Sequence, residues 1–173
     1  CNIIAPHFIE KLLMDLKDKT FSLILYEGTD ISVEKLLGVC VRYYSTSKNK
    51  FITSFLGLID LLGGCADDLL YGLERLLQML GLDFKNLVGI GTDNAAVMTG
   101  RNSGLYRKIS DKYNLPNLIL VRCMCHSIQL AVSAATAKSF PNHLEFLIKE
   151  SHNWFSHSPI RQKSYSKIYK LIN

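Results

Sequence analysis

The chain has 173 residues, 48% of them hydrophobic and 20% charged, with a net charge of +5. That composition supports one core of ordinary domain size and excludes a disordered or fibrous chain. No apolar run approaches the roughly 18 uninterrupted residues a membrane-spanning helix needs, because Asp60, Asp67 and Asp68 break up the richest region, residues 55–80. No membrane partner is expected. A first residue that is Cys1 rather than Met, and a helical pattern that runs on to the last residues, predict a piece of a longer protein.

Charge and cysteine placement narrow the class further. Residues 149–173 hold five basic residues against one acid, so the part before them is nearly neutral. A basic tail of this kind fits either a polyanion partner or a solvated helix face. Five cysteines, at positions 1, 40, 65, 123 and 125, are odd in number and irregular in spacing. They predict a reducing, intracellular setting rather than a disulfide framework.

Residues 6–16 place Phe8, Ile9, Leu12, Leu13 and Leu16 at helical spacing behind a proline suited to a first turn. Residues 21–26 read as a buried strand that ends at Tyr26, and Leu37, Val39, Val41 and Tyr43 alternate along a second strand. Residues 51–60 form a third, and the polar connection 45–50 has hairpin composition, so the second and third strands pair antiparallel. After Gly63 and Gly64, leucines 69, 70, 73, 76, 77 and 80 repeat at helical period up to Gly81, a C-terminal cap.

Residues 87–91 are an apolar run without alternation, the pattern of a central parallel strand, and Thr92, Asp93 and Asn94 end it. A helix over 104–113, a second buried strand over 118–121 and a helix over 125–138 follow. The predicted order is β-β-β-α-β-α-β-α: an antiparallel meander joined to parallel strands in a mixed α/β sheet with helices packed on it. Beyond Pro141 the pattern is helical again. Ser158 and Pro159 start a last helix, with Tyr165, Ile168, Tyr169 and Ile172 on one face and Arg161, Lys163, Lys167 and Lys170 assigned to the other.

Asp93 is the first candidate for chemistry, because ligand sites in such sheets gather at the carboxyl ends of parallel strands. A capping or turn aspartate fits the position equally. Tyr26 ends the first strand, which should lie beside the strand leading to Asp93.

The residues now reach a family. The runs Leu23-Ile24-Leu25-Tyr26-Glu27-Gly28-Thr29-Asp30, Val41-Arg42-Tyr43, Phe55-Leu56-Gly57-Leu58 and Leu87-Val88-Gly89-Ile90-Gly91-Thr92-Asp93 resemble hAT-type transposases. They are most similar to domesticated relatives with a DUF4371-like domain, found beside BED, SCAN or MYM-type zinc fingers. The resemblance continues through Ala95-Ala96-Val97-Met98-Thr99-Gly100, Gly104, Cys123-Met124-Cys125-His126 and Trp154-Phe155-Ser156-His157-Ser158-Pro159, so it spans almost the whole chain.

The resemblance implies a ribonuclease-H-like five-stranded mixed sheet with flanking helices, cut before the end of a helical insertion. By this reading 1–19 is an N-terminal helix, 20–140 an incomplete ribonuclease-H-like core and 141–173 the start of the insertion. Active members hold Mg2+ or Mn2+ with an Asp on the first strand, an Asp after the fourth and a distal Glu. Two metals so held activate a nucleophile and stabilise a leaving oxygen during phosphodiester displacement.

Asp93 matches the second acid and would be a metal ligand if catalysis survives. Tyr26 falls where the first acid belongs, and a phenol with a pKa near 10 is a poor substitute for a bridging carboxylate. Asp30 shares its strand parity but stands roughly 13 Å further along an extended chain, and Gly28 suggests that the strand has turned before it. The third acid lies outside the chain.

Cys123 and His126 match the family's Cys-x-x-His motif, which the resemblance associates with DNA near the active site. A zinc half-site, with His152 and His157 as the tempting second pair, and plain packing at a helix head are the other readings. Trp154 with Arg161, Lys163 and Lys167 could contact phosphates and stack on bases, or simply form an amphipathic helix. The functional expectation is a nuclear domain, catalytically inactive, that binds DNA or chromatin proteins. No cofactor is needed for that role, and a homodimer would form through regions outside the chain. A protein-interaction or dimerisation scaffold and an active strand-transfer enzyme are the alternatives.

Overall fold

The computed structural model describes residues 4–29, 35–61, 63–139, 142–156 and 158–172. Asp30 and His157, and with them those parts of the substitute-acid and zinc readings, lie outside the described residues. Two compact units are present, 1–127 and 128–173.

In the first unit, helix α1 (Ile4–Leu16) precedes strands β1 (Phe21–Thr29), β2 (Lys35–Ser45) and β3 (Lys50–Leu61). Helix α2 (Ala66–Met79), a short 3-10 turn (Phe84–Asn86), β4 (Leu87–Thr92), α3 (Ala96–Thr99), α4 (Leu105–Lys112) and β5 (Ile119–Arg122) follow. The sheet order is β3-β2-β1-β4-β5. β1 and β3 flank β2 antiparallel, while β4 runs parallel to both β1 and β5. This is the mixed meander-plus-crossover sheet that the element order implies.

Alternation sets the core. Phe21, Leu23 and Leu25 of β1 lie beside Tyr43, Val41 and Val39 of β2, and all six side chains are buried. Ile90 of β4 continues that face, and α2 and α4 pack with it through Leu69, Leu73, Leu77, Leu105 and Ile109. Each such side chain contributes about 1.5–3 kcal/mol relative to exposure. The leucine stripe of α2 therefore buries as its period requires. Asp68 accepts hydrogen bonds from the Cys65 N–H and thiol at 3.4 and 3.0 Å, and with Asp67 it sets negative charge at the positive end of the helix. Gly81 then stops the chain's helical course at φ 68°.

Two glycines let α2 sit close on β3. A Cβ at Gly72 would stand 2.7 Å from Ile59 Cγ2, and one at Gly57 would stand 2.9 Å from Leu76 Cδ1.

Two expectations change, and one short helix goes unread in the sequence. β1 does not end at Tyr26, because Gly28 and Thr29 still pair with Leu36 and Lys35. A glycine weakens a strand but does not break it when its backbone bonds are satisfied by a neighbour. β5 is not a buried strand: it stands at the edge of the sheet, with Ile119 and Val121 61% and 59% exposed on the face away from the helices. α3, four residues long, has no period to read; it forms because the chain turns immediately after Asp93.

α1 is held to the sheet by more than Leu12 and Leu16. Asp15 accepts hydrogen bonds from Tyr43 Oη and Lys19 Nζ, both at 3.0 Å. Hydrogen bonds from Ser45 and then Lys19 hold the Asp15 carboxyl down to about 2, while burial, ahead of the Asp15 carboxylate, pushes Tyr43 up to about 12. A carboxyl whose pKa is lowered by folding stabilises the fold above its unfolded value near 4 and loses that contribution as the pH falls toward 2. Asp15→Asn should therefore flatten the fall in thermal midpoint between pH 4 and pH 2. An unchanged acid limb in that variant would show that this cluster does not hold α1.

Candidate functional site

The carboxyl ends of β1, β4 and β5 come together in the first unit. β4 carries Gly89 and Gly91 on the face away from the helices. A Cβ at Gly89 would meet Ser22 Oγ at 3.1 Å and the Ile119 carbonyl at 3.4 Å, so a larger residue there would make Ser22 shift slightly. The described β1–β4 register ends with Ile24 beside Gly91. Two residues further on in each chain stand Tyr26 and Asp93, the two positions singled out for the lost and the retained acid.

Tyr26 is 70% exposed, on the open face of the sheet, rather than packed in the core. Its ring lies along the strand toward Gly28, where an added Cβ would be 3.5 Å from Tyr26 Cε1. Asp93 is half-buried, and its Oδ1 accepts from the Ala95 N–H at 3.0 Å, closing the turn that starts α3. The turn role weighed from the sequence is thus present. The second carboxylate oxygen makes no protein hydrogen bond among the described residues. Gly100 and Gly104 stack the following turn: a Cβ at Gly104 would meet Gly100 N at 2.4 Å, so only glycine allows that approach.

The head of α5 (Met124–Ser139) is tied to the same loop. Cys123 N–H donates to the Thr92 carbonyl at 2.8 Å, which links the ends of β5 and β4. Ser127 Oγ donates to the Cys123 carbonyl at 3.0 Å and receives a bond from Asn94 Nδ2 at 2.8 Å. Cys123 is exposed and His126 half-buried. Asn94 and Ser127 are the residues that sequence reasoning did not single out, although each is adjacent to one that it did. Thr92 Oγ1 and Asn94 Oδ1 are buried without a hydrogen-bond partner.

Among the described residues no three His, Cys, Asp or Glu side chains converge as a metal site. Around Asp93 the donors are one carboxylate, partly used by Ala95, and a phenol. Such a set does not fit a pair of divalent ions, which together call for more than one carboxylate, one of them able to bridge. A groove of about 690 Å3 lies elsewhere, between β3 and α2, and is lined by Leu58, Asp60, Tyr71, Arg75 and Met79 among others.

The second unit holds the remaining candidates. Helices α6 (Asn142–Ser156) and α7 (Pro159–Ile172) form a hairpin. Arg161 does not share a face with the lysines. Its guanidinium lies 3.5 Å from the centre of the Trp154 ring, and Nη1 donates to the Trp154 carbonyl at 3.1 Å. The physical reason is spacing: Arg161 precedes Tyr165 by four residues and falls on the Tyr165–Ile168 side. Gln162 likewise donates to the Phe155 carbonyl, so both side chains cap the end of α6. Lys163 and Lys167 are exposed.

The Asn94–Ser127 bond should be measurable as a coupling. Ser127→Ala should cost about 1 kcal/mol in denaturant unfolding, and the double variant with Asn94→Ala should cost less than the two singles together. Strict additivity would show that the bond does not join the two loops.

Among solved structures, the chain is similar to Ciona intestinalis endonuclease V in complex with a 24mer DNA containing an inosine followed by a ribo-adenosine. Identity is 15%, over 66% of this chain and 55% of that one, with a TM-score of 0.36. The match thus spans about half of that chain's length, and so loose a likeness carries no argument. The family comparison is firmer: residues 1–104, more than half of the chain and including β1 to β4 and Asp93, match the DUF4371 domain, described as the ZMYM1/FAM200, RNase-like domain. With its five-stranded mixed sheet and flanking helices, the chain belongs to the DUF4371 family of RNase-like domains.

Proposed function

We propose that this RNase-like domain derives from an hAT-type transposase, has lost strand-transfer catalysis and keeps a nucleic-acid-binding role in the nucleus. The observation that carries the reading is Tyr26. A 70% exposed phenol stands on β1 two residues beyond Ile24, as Asp93 stands two residues beyond Ile24's partner Gly91, where a two-metal mechanism requires a second carboxylate. A phenol offers a single oxygen where the ions want a bridging carboxylate. Asp93 instead shapes the loop to which the head of α5 is tied.

Binding is supported by the exposed lysines of α7, Lys163 and Lys167, which would act on phosphates. Cys123 and His126 stand at the head of α5 beside the same loop, where they would approach a bound strand. Arg161, stacked on Trp154 and bonded to its carbonyl, serves the hairpin rather than the polyanion.

Two assays on the full chain test this. Incubation of DNA with Mg2+ or Mn2+ is expected to give neither cleavage nor joining; activity that disappears with Asp93→Ala would overturn the inactive reading. Filter binding of duplex DNA should weaken steeply between low and physiological salt, and Lys163→Glu with Lys167→Glu should weaken it further. Absence of salt-dependent affinity would favour a protein-interaction scaffold instead.

A further inference from the structure

The hairpin of β2 and β3 carries charge and aromatic rings that the acid end does not use. Between Glu34 and Asp60 the sequence holds Lys35, Arg42, Lys48 and Lys50 and no acid. Lys35 pairs with Glu27 at 3.6 Å, whereas Arg42, Lys48 and Lys50 form no ion pair among the described residues. The body of the chain is nearly neutral, and this hairpin is one of its local excesses of positive charge.

The same hairpin turns aromatic side chains outward. Tyr44 stands opposite Phe51 and Cys40 opposite Phe55, all on the face away from the helices. Phe51 and Phe55 are 64% and 61% exposed. Tyr44 meets Phe51 edge-on with ring centres 5.3 Å apart, and the Tyr44 hydroxyl donates to the Asn49 side chain, which holds that ring at the turn. Arg42 lies 5.5 Å from the Phe51 ring centre and donates to Thr53 Oγ1 at 3.2 Å, so its guanidinium sits at the sheet surface. Phe55 has no ring partner among the described residues. Further across, Gly38 stands between Leu58 of β3 and Tyr26 of β1.

We propose that the open face of the β2–β3 hairpin is a binding platform for single-stranded nucleic acid, with bases stacking on Phe51 and Phe55 and phosphates held by Arg42, Lys48 and Lys50. A purely apolar docking surface would not need three unpaired cations interleaved with its rings. A purely electrostatic one would not need exposed phenylalanines. Together they match what a flexible, anionic strand with unstacked bases offers: a π-face for each ring and a phosphate between them. Phe51 and Phe55, four residues apart on one face, are roughly 13 Å apart along the strand, with Arg42 and Thr53 between them. A duplex hides its bases and cannot use the rings. The site is distinct from the lysines of α7 and from the loop at Asp93, and it stands or falls separately from them.

The test uses the full chain, a fluorescein-labelled oligothymidylate and the corresponding thymidylate–adenylate duplex, followed by anisotropy at low and physiological salt. Phe55→Ala and Phe51→Ala are each expected to weaken single-strand binding roughly tenfold and to leave duplex binding unchanged. Lys48→Glu with Lys50→Glu should weaken binding and lower its salt dependence. All four side chains are exposed, so circular dichroism should show an unaltered fold; as a second readout, Phe55→Trp should add fluorescence that the oligonucleotide quenches. The proposal is overturned by no single-strand affinity at low salt. Binding unchanged in both phenylalanine variants but lost in Lys163→Glu with Lys167→Glu also overturns it, and leaves the α7 reading standing. Salt-indifferent binding overturns it too, and points to a protein segment on this face.

Discussion

The parallel register of β1 against β4, Ile24 beside Gly91, is the constraint on which the acid end depends. Its last pair stands two residues before Tyr26 on β1 and two residues before Asp93 beyond β4. Gly89 eases the approach, since a Cβ there would press on Ser22 Oγ at 3.1 Å and stand 3.4 Å from the Ile119 carbonyl. Once that register is set, the loop after β4 must turn at once. Asp93 closes the turn through Ala95, and Asn94 reaches Ser127 on α5. Asp93 thus spends part of its bonding capacity on shape.

The second organising fact is that the first unit covers only one face of its sheet with its own helices. The α2 and α4 side gathers nearly all of the buried leucines, while Ile24, Tyr26, Phe51, Phe55, Leu58, Ile119 and Val121 remain exposed on the other. An apolar face of that size on a folded domain is a binding surface more often than an accident. Its aromatic, basic part lies on the β2–β3 hairpin and its aliphatic part on β5.

Much of the fold is legible in the sequence because alternation and helical period are local properties. Leu37, Val39, Val41 and Tyr43 announce β2, and the leucines of α2 announce their own stripe. What is not legible depends on partners far along the chain. Gly28 looks like a break until Leu36 is seen to pair with it, and an apolar run such as residues 118–121 cannot say whether a layer will cover it. The Asn94–Ser127 bond joins residues 33 apart. Arg161 was readable, since its spacing to Tyr165 puts it on the aromatic side, but its charge groups it with the lysines when spacing is ignored. At the candidate site, Tyr26 and Asp93 are legible as a pair only because strand order brings them together.

The most direct measurement is a Mn2+ titration of the full chain by calorimetry, with Asp93→Asn and Tyr26→Asp beside it. A phenol in place of the acid predicts no Mn2+ uptake that depends on Asp93 in the native chain, and new uptake when Tyr26→Asp restores a second carboxylate. Native binding of Mn2+ that disappears with Asp93→Asn would contradict it, because Asp93 would then hold a metal without the first acid.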